Sequence, residues 1–450
     1  MRPLTTPNYA DLVGRRVTVV GMARSGIAAA KVAIRRGAKV TCTDLRANAT
    51  EVEGAVSIYG EHRRTDFTTA DLVIVSPGVP AAQPDVAAAV AAGVAVVGEL
   101  GFAAAVLEAA EKPPLLLAVS GTNGKSTTVH LLGQILARAG LRTFTGGNLG
   151  LPLSEAVDQG FEALAVEVSS YQMELPGDFH PRAAAILNLT PDHLERHGSL
   201  DAYAEHKCRM FAKMVPGDWQ ILPGLDARLE RLCDVLPGAR AYLGDWPGVR
   251  IEGDLLTFGE IPGAGSISLQ GFTLPGRHNR ANVAAAALLA ACGGVPRESI
   301  QLSGLTGLPH RMEVVCERPG GVCWVNDSKA TNIESTLVAL ESADRPTVVL
   351  LGGRGKAGAD YERLAHPLRQ ARAIVCFGEA GSLIAEGLER AGLSPQVVPN
   401  LEAAVRAAAG LARPGDAVLL SPACSSFDEF SDFEHRGRAF AALVKGLTDD

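Results

Sequence analysis

Eight consecutive residues, Ser120-Gly121-Thr122-Asn123-Gly124-Lys125-Ser126-Thr127, combine two glycines, one lysine and four hydroxyls. An apolar run at 115–119 precedes them and a helical pattern begins near Val129, so the segment reads as strand, glycine turn and helix N-terminus. Backbone N–H groups of such a turn point at a bound phosphate, and the helix dipole adds partial positive charge. Lys125 is placed to reach terminal phosphates and Ser126 to ligate magnesium. The usual form of the motif has a glycine five residues before Gly124, where this chain has Val119. A nucleoside triphosphate such as ATP, held with magnesium, suits these groups.

Glu167 ends a second apolar run at 164–168. The carboxyl ends of parallel strands line the ligand crevice, so Glu167 is expected to face the phosphates and hold a metal ion. The alternative is an exposed edge glutamate, but an acid between Val166 and Val168 is costly to bury without a partner. Polar residues 188–193 also follow an apolar run, and His193 among them reads either as a metal ligand or as a structural histidine. Lys207 lies on a helix expected over 202–214, where it would ordinarily be a surface lysine. Three further polar loops follow strands in the last third of the chain, at 326–332, 352–356 and 421–427. Only nine of the 42 basic residues are lysines, so those inside motifs (Lys125, Lys207, Lys329, Lys356) are candidates for chemistry that a guanidinium cannot do.

The elements that must position these groups alternate as in α/β proteins. Strands read at 16–21, 39–44, 72–76 and 94–97, then at 115–119, 164–168 and 183–189, and finally at 322–326, 346–351, 373–377 and 417–420. A β-like stretch surrounds 249–274, and an Ala-rich helix follows at 282–291. The turn at 21–26 resembles a dinucleotide fingerprint with Asp44 after the next strand, but Ala23 replaces the glycine that lets a pyrophosphate approach. With a linker at 111–114, the fold class is α/β in three domains. A Rossmann-like unit spans 1–103, a central phosphate-loop domain 104–306 and a second Rossmann-like domain 307–450.

At 450 residues the chain is too long for one core. A hydrophobic content of 47% with 20% charged residues is that of a folded globular protein. The net charge of −7 argues against nucleic acid as a partner. Residues 1–13 have no basic stretch leading into an apolar one, so no export signal or membrane insertion is expected. Eight cysteines occur without a CxxC pair, as reduced thiols of a cytoplasmic protein would.

Taken together, the 121–127 loop, Gly146-Gly147-Asn148, Glu167, Asp192-His193, His278-Asn279 with Asn282, and His310-Arg311 resemble the ATP-dependent Mur ligases of peptidoglycan assembly. The resemblance runs along essentially the whole chain. Within that family, residues 327–332 and 421–424 look like those of the member that joins D-glutamate to UDP-N-acetylmuramoyl-L-alanine. The resemblance implies an acyl-phosphate intermediate and release of ADP and phosphate. It assigns Gly121, Thr122, Asn123, Gly124, Lys125, Ser126, Thr127, Asn282, Arg311, Asp327 and Lys329 to ATP. Arg24, Ser25, Asp44, Arg46, Ser76, Pro77, Gly78 and Asn148 go to the UDP-substrate, and Thr331, Lys356, Ser426 and Phe433 to D-glutamate. Lys125, Glu167, His193 and Lys207 are the catalytic set. Ser126 and Glu167 serve one magnesium ion, with His193 and a carbamylated Lys207 serving a second. A monomer acting on small molecules is expected. Competing readings are an amide ligase for another amino acid, an NAD-dependent oxidoreductase using 21–26, and a nucleotide-switched binding module.

Overall fold

The computed structural model describes residues 8–447 apart from 225, 275, 319, 344 and 357. Residues 1–7, part of the stretch read for an export signal, lie outside the described residues. Three sheets form. The first has five parallel strands in the spatial order Ala55–Tyr59, Lys39–Asp44, Arg16–Val20, Leu72–Val75, Ala95–Gly98. Strand order reverses beside Arg16–Val20, which pairs with Lys39–Asp44 on one side and Leu72–Val75 on the other. Such a switch point opens a crevice at the strands' carboxyl ends.

The second sheet has nine strands. An interior strand, Leu115–Ser120, lies between Ala163–Glu167 and Ala183–Ile186, all parallel, so Ser120, Glu167 and Ile186 end side by side. Trp219–Pro223, Ala239–Leu243 and Gly248–Glu252 continue it in parallel, and two antiparallel strands, Leu255–Gly259 and Gly265–Ser268, close it. The β-like stretch of the sequence is this antiparallel rim. Helix Arg277–Cys292 is buried continuously from Val283 to Cys292. A helix apolar on every side belongs in an interior, and its alanines pack with Leu131, Leu132 and Ile135 of helix Lys125–Arg138. Each fully buried leucine there contributes roughly 1.5–3 kcal/mol, which fixes the helix whose first turn follows the phosphate loop.

The third sheet has six strands in the order Glu313–Arg318, Val322–Asn326, Ala417–Leu420, Thr347–Gly352, Ala373–Phe377, Gln396–Val397. Only its first pair is antiparallel. The described chain divides into two compact units, the first two sheets in one ending at Thr306 and the third sheet in the other from Gly307. Within the first unit the two sheets are joined closely. Residues 103 and 104 lie inside helix Glu99–Glu108, and a Cβ on Gly101 would meet the Pro176 carbonyl oxygen at 2.1 Å.

Candidate active site

The phosphate loop is a braced structure. Gly124 caps helix Lys125–Arg138 with φ 84°, a left-handed conformation that glycine adopts without strain. A Cβ there would also meet Asn282 Oδ1 at 2.6 Å. Asn282, far away in sequence, accepts a hydrogen bond from Thr128 Oγ1 at 3.3 Å and so stands beside the loop. The loop's other wall is the segment after Ala183–Ile186. Asn188 accepts from Asn123 N at 2.8 Å and returns a bond to the Asn123 carbonyl, while Thr122 Oγ1 donates to the Thr190 carbonyl at 3.0 Å. Lys125 Nζ donates to the Gly121 and Thr122 carbonyls at 2.8 and 2.7 Å, folding its ammonium over the loop. Ser126 is half-buried in the helix's first turn, and Thr127 is buried.

Glu167 ends its strand beside the loop, 3% exposed. Its Oε1 accepts from Asn148 Nδ2 at 2.9 Å, whereas Oε2 is buried without a hydrogen-bond partner. A buried carboxylate oxygen left open next to a phosphate-binding turn fits a hard cation with oxygen ligands, so magnesium suits this position. Asn148, expected at the UDP-substrate, orients this acid.

Lys207 is no surface residue. It is 1% exposed at the end of helix Leu200–Cys208. Nζ donates to the Gly121 carbonyl at 2.8 Å and sits 4.4 Å from the centre of the Tyr203 ring. Burial, reinforced by the charge of Lys125, pushes its pKa down to about 6, against the opposing pull of Asp192 and Glu167. Two lysines therefore meet at one glycine carbonyl. His193 takes up φ 53° and shares a 3.0 Å hydrogen bond with the Tyr171 hydroxyl, near Asp192 and Glu195. Among the described residues no group of three or more His, Cys, Asp or Glu side chains is gathered for a metal. Of the four expected metal ligands, Ser126, Glu167 and Lys207 surround the loop, while His193 is engaged with Tyr171.

In the first sheet, Asp44 is the organising acid at the switch point. It accepts from Met22 N at 2.7 Å and from the Arg46 backbone and guanidinium. Those Arg46 hydrogen bonds hold its pKa down, to about 2. Ser76 donates to the Gly21 carbonyl at 2.5 Å, and a Cβ on Gly26 would meet that same oxygen at 2.0 Å. Ala23 takes the cap of helix Arg24–Arg35 in an extended conformation, with Ser25 in the first turn. Pro77 and Gly78 continue the turn after Ser76.

The second unit brings together the three polar strand-end loops. Asp327 is buried, accepting from Ser421 Oγ at 2.9 Å and from Met312 N at 3.3 Å. Burial raises its pKa to about 6, against the pull of Arg311 and Lys329. Lys329 N bonds the His310 carbonyl at 3.0 Å, and Thr331 N the Lys329 carbonyl at 2.8 Å. The loops after Thr347–Gly352 and Ala417–Leu420 are paired through Arg354 and Ser425. Lys356 is exposed, Ser426 buried and Phe433 half-buried at the start of helix Phe433–Lys445. Six described non-glycine residues have positive φ; three of them (His193, His310, Ala423) fall in these motif segments and a fourth, Met312, directly follows one. Such strain costs of order 1–3 kcal/mol each and concentrates at functional sites. Sequence reasoning missed the bracing role of Asn188, the Tyr171 partner of His193, and Arg436, described below.

Residues 15–98 match the family "Mur ligase MurD-like, N-terminal domain", residues 119–241 "Mur ligase middle domain", and residues 310–424 "Mur ligase, glutamate ligase domain". A UDP-N-acetylmuramoylalanine--D-glutamate ligase of Anaeromyxobacter dehalogenans is 44% identical over 96% of this chain and 98% of its own length. A protein of the same name from Myxococcus xanthus is 41% identical over 97% and 99%. Among solved structures, the UDP-N-acetylmuramate-alanine ligase MurC of Thermotoga maritima shares the fold, with a TM-score of 0.57 at 18% identity over 96% of this chain and 99% of that one. Phosphate loop, buried acid, three sheets and full-length relatives agree: the chain belongs to the Mur ligase family.

Proposed function

We infer that this chain joins D-glutamate to UDP-N-acetylmuramoyl-L-alanine in an ATP-dependent reaction of peptidoglycan precursor synthesis. The observation that carries the reading is full-length likeness to ligases of that name, 44% and 41% identical, in a chain that keeps a braced phosphate loop. A substrate carboxylate oxygen attacks the γ-phosphorus of ATP, and ADP leaves. The glutamate nitrogen then attacks the acyl carbon, losing a proton, and phosphate leaves as the amide forms. Both partners of the first step are anionic, so it needs fixed positive charge. Lys125 supplies it at the loop, where it stabilises developing charge without reorganising. Bound magnesium would add charge neutralisation and alignment. Ser126 and Glu167 would hold one such ion, as the unpartnered Glu167 oxygen supports.

A second ion served by His193 and Lys207 requires Lys207 as a carbamate, formed when the neutral amine adds carbon dioxide and releases a proton. Burial supports this, because a depressed pKa leaves the amine unprotonated near neutrality. The proposed division of labour is 1–103 for the UDP-sugar, 104–306 for ATP and 307–450 for nucleotide and amino acid. In it, Arg24, Ser25, Asp44, Arg46, Ser76, Pro77, Gly78 and Asn148 serve the UDP-substrate. Asn282, Arg311, Asp327 and Lys329 join the loop at ATP, and Thr331, Lys356, Ser426 and Phe433 receive D-glutamate. ADP release should require ATP, magnesium, the UDP-sugar–alanine and D-glutamate together. Equal turnover with L-glutamate or meso-diaminopimelate would overturn the substrate assignment.

A further inference from the structure

Arg436 lies on helix Phe433–Lys445 and is 0% exposed, among the largest fully buried side chains in the molecule. A buried guanidinium usually faces a carboxylate. This one instead spends its donors on carbonyls and a hydroxyl. Nε donates to Ser328 Oγ at 2.9 Å, and Nη2 donates to the Ser328 and Cys424 carbonyls at 2.8 and 3.0 Å. Nη1 donates to the Ser425 carbonyl at 3.1 Å and the Gly352 carbonyl at 3.3 Å. These acceptors come from three separate strand-end loops, following Val322–Asn326, Thr347–Gly352 and Ala417–Leu420. Ser328 Oγ passes the connection back by donating to the Phe433 carbonyl at 2.9 Å.

The surrounding glycines show how closely the loops are drawn in. A Cβ on Gly353, at φ 125°, would meet the Ser425 carbonyl at 2.2 Å and Arg436 Nη1 at 2.8 Å. A Cβ on Gly437 would meet His310 Nδ1 at 2.2 Å. Each segment held by Arg436 carries one residue assigned above to the amino acid: Thr331, Lys356, Ser426 and, on the arginine's own helix, Phe433.

We propose that Arg436 is the positioning residue of the amino-acid site, the single side chain whose planar fork sets the spacing of the three loops and the helix that receive D-glutamate. The proposal rests on the assignment of those four residues to D-glutamate. Lysine would keep the charge but not the fork, which reaches several acceptors in one plane.

The test is steady-state kinetics on the full-length protein with Arg436→Lys, Ser328→Ala and Lys356→Ala, each varied against D-glutamate and the UDP-sugar–alanine. Displaced loops should raise the KM for D-glutamate about tenfold or more in Arg436→Lys, since misplacement of about 1 Å can cost up to 10²-fold. Ser328→Ala removes one acceptor and the Phe433 link, and should raise it about threefold, in keeping with loss of one hydrogen bond. The KM for the UDP-sugar–alanine should stay within about twofold, because its proposed contacts lie in the other unit. If both variants lower kcat in proportion to folded fraction and leave the D-glutamate KM unchanged, Arg436 only stabilises the fold and the proposal fails. Should Arg436→Lys not fold, Ser328→Ala decides alone. An unchanged D-glutamate KM in Lys356→Ala would instead overturn the underlying site assignment.

Discussion

Two clusters of charged side chains in this chain are built on opposite plans. Around the phosphate loop, Lys125 and Lys207 both bond the Gly121 carbonyl, and the adjacent Glu167 leaves one carboxylate oxygen without a partner. In the second unit, Arg436 is as deeply buried, yet its hydrogen bonds are distributed over five acceptors. An unsatisfied buried polar atom costs about 1–3 kcal/mol; a saturated one rigidifies what it touches. The first plan fits a site that binds ligands, the second a scaffold that shapes one. Charge removal should therefore abolish chemistry in the first cluster with little harm to folding, while in the second it should loosen structure.

The largest effect is expected at Lys125. Lys125→Ala should lower turnover on the order of 10²-fold or more, as does loss of one dominant contact to developing charge. UDP-substrate affinity, measured by calorimetry, should stay near normal. A variant with near wild-type rate would remove the loop from catalysis.

Lys207 comes next. Lys207→Ala should bind ATP yet turn over roughly 10²-fold more slowly, the scale of losing one electrostatic contributor. Lys207→Arg should be no better despite its charge, and acetate should partly restore the alanine variant by supplying an oxygen ligand. Full activity in Lys207→Arg would reduce this residue to a structural lysine and dismiss the carbamate.

Glu167→Gln tests the unpartnered carboxylate oxygen directly. It keeps the shape and the oxygen facing Asn148 but removes the charge on the unpartnered oxygen. Activity should fall about 10- to 100-fold with a raised magnesium requirement, the range seen when a metal site's support is altered. Thermal stability should be unchanged or higher. A clear loss of melting temperature would mean the acid is held by the fold rather than reserved for an ion.

How much of this was legible in the sequence depends on how local each signal is. The strands Val322–Asn326, Ala373–Phe377 and Ala417–Leu420 read directly because they are short apolar runs bounded by polar turns, and Lys39–Asp44 because its apolar residues alternate with threonines. Of the edge strands, Ala95–Gly98 read and three others did not. Ala55–Tyr59, Thr143–Gly147 and Glu313–Arg318 close their sheets with mixed, glycine-bearing or charged sequences, and one-sided burial leaves no apolar run to read. Trp219–Pro223 and Ala239–Leu243 are interior strands, but Gln220, Pro223 and Arg240 interrupt their pattern. The phosphate loop and Glu167 were visible because strand, turn and helix are consecutive. The burial of Lys207 was not, since its polar neighbours mark a surface helix and the Gly121 carbonyl that receives it lies 86 residues away. Arg436, in the polar run Glu434-His435-Arg436, gave no sign except the adjacent Gly437.

A third buried charge, away from both clusters, gives the smallest expected effect and the cleanest test of the cost of an unpartnered acid. Glu99 is 1% exposed at the start of helix Glu99–Glu108; its Oε1 accepts from Ser154 N at 2.8 Å and its Oε2 has no partner. Burial raises its pKa from 4.5 to about 7, only partly offset by Ser154. The native chain thus holds a proton that the unfolded chain releases near pH 4.5. This contribution is fully present below about pH 4.5, declines as pH rises toward 7 and is lost above it. The raised pKa corresponds to at most about 3 kcal/mol between those limits. Glu99→Gln, neutral at every pH, should flatten the fall in melting temperature between pH 5 and 8 and melt higher than wild type at pH 8. Activity at neutral pH should be unaffected, because Glu99 lies outside the residues assigned to catalysis and substrate binding. Parallel stability curves for the two proteins across that range would show that Glu99 ionises freely in the native state, and that an unpartnered oxygen in this fold need not carry a cost.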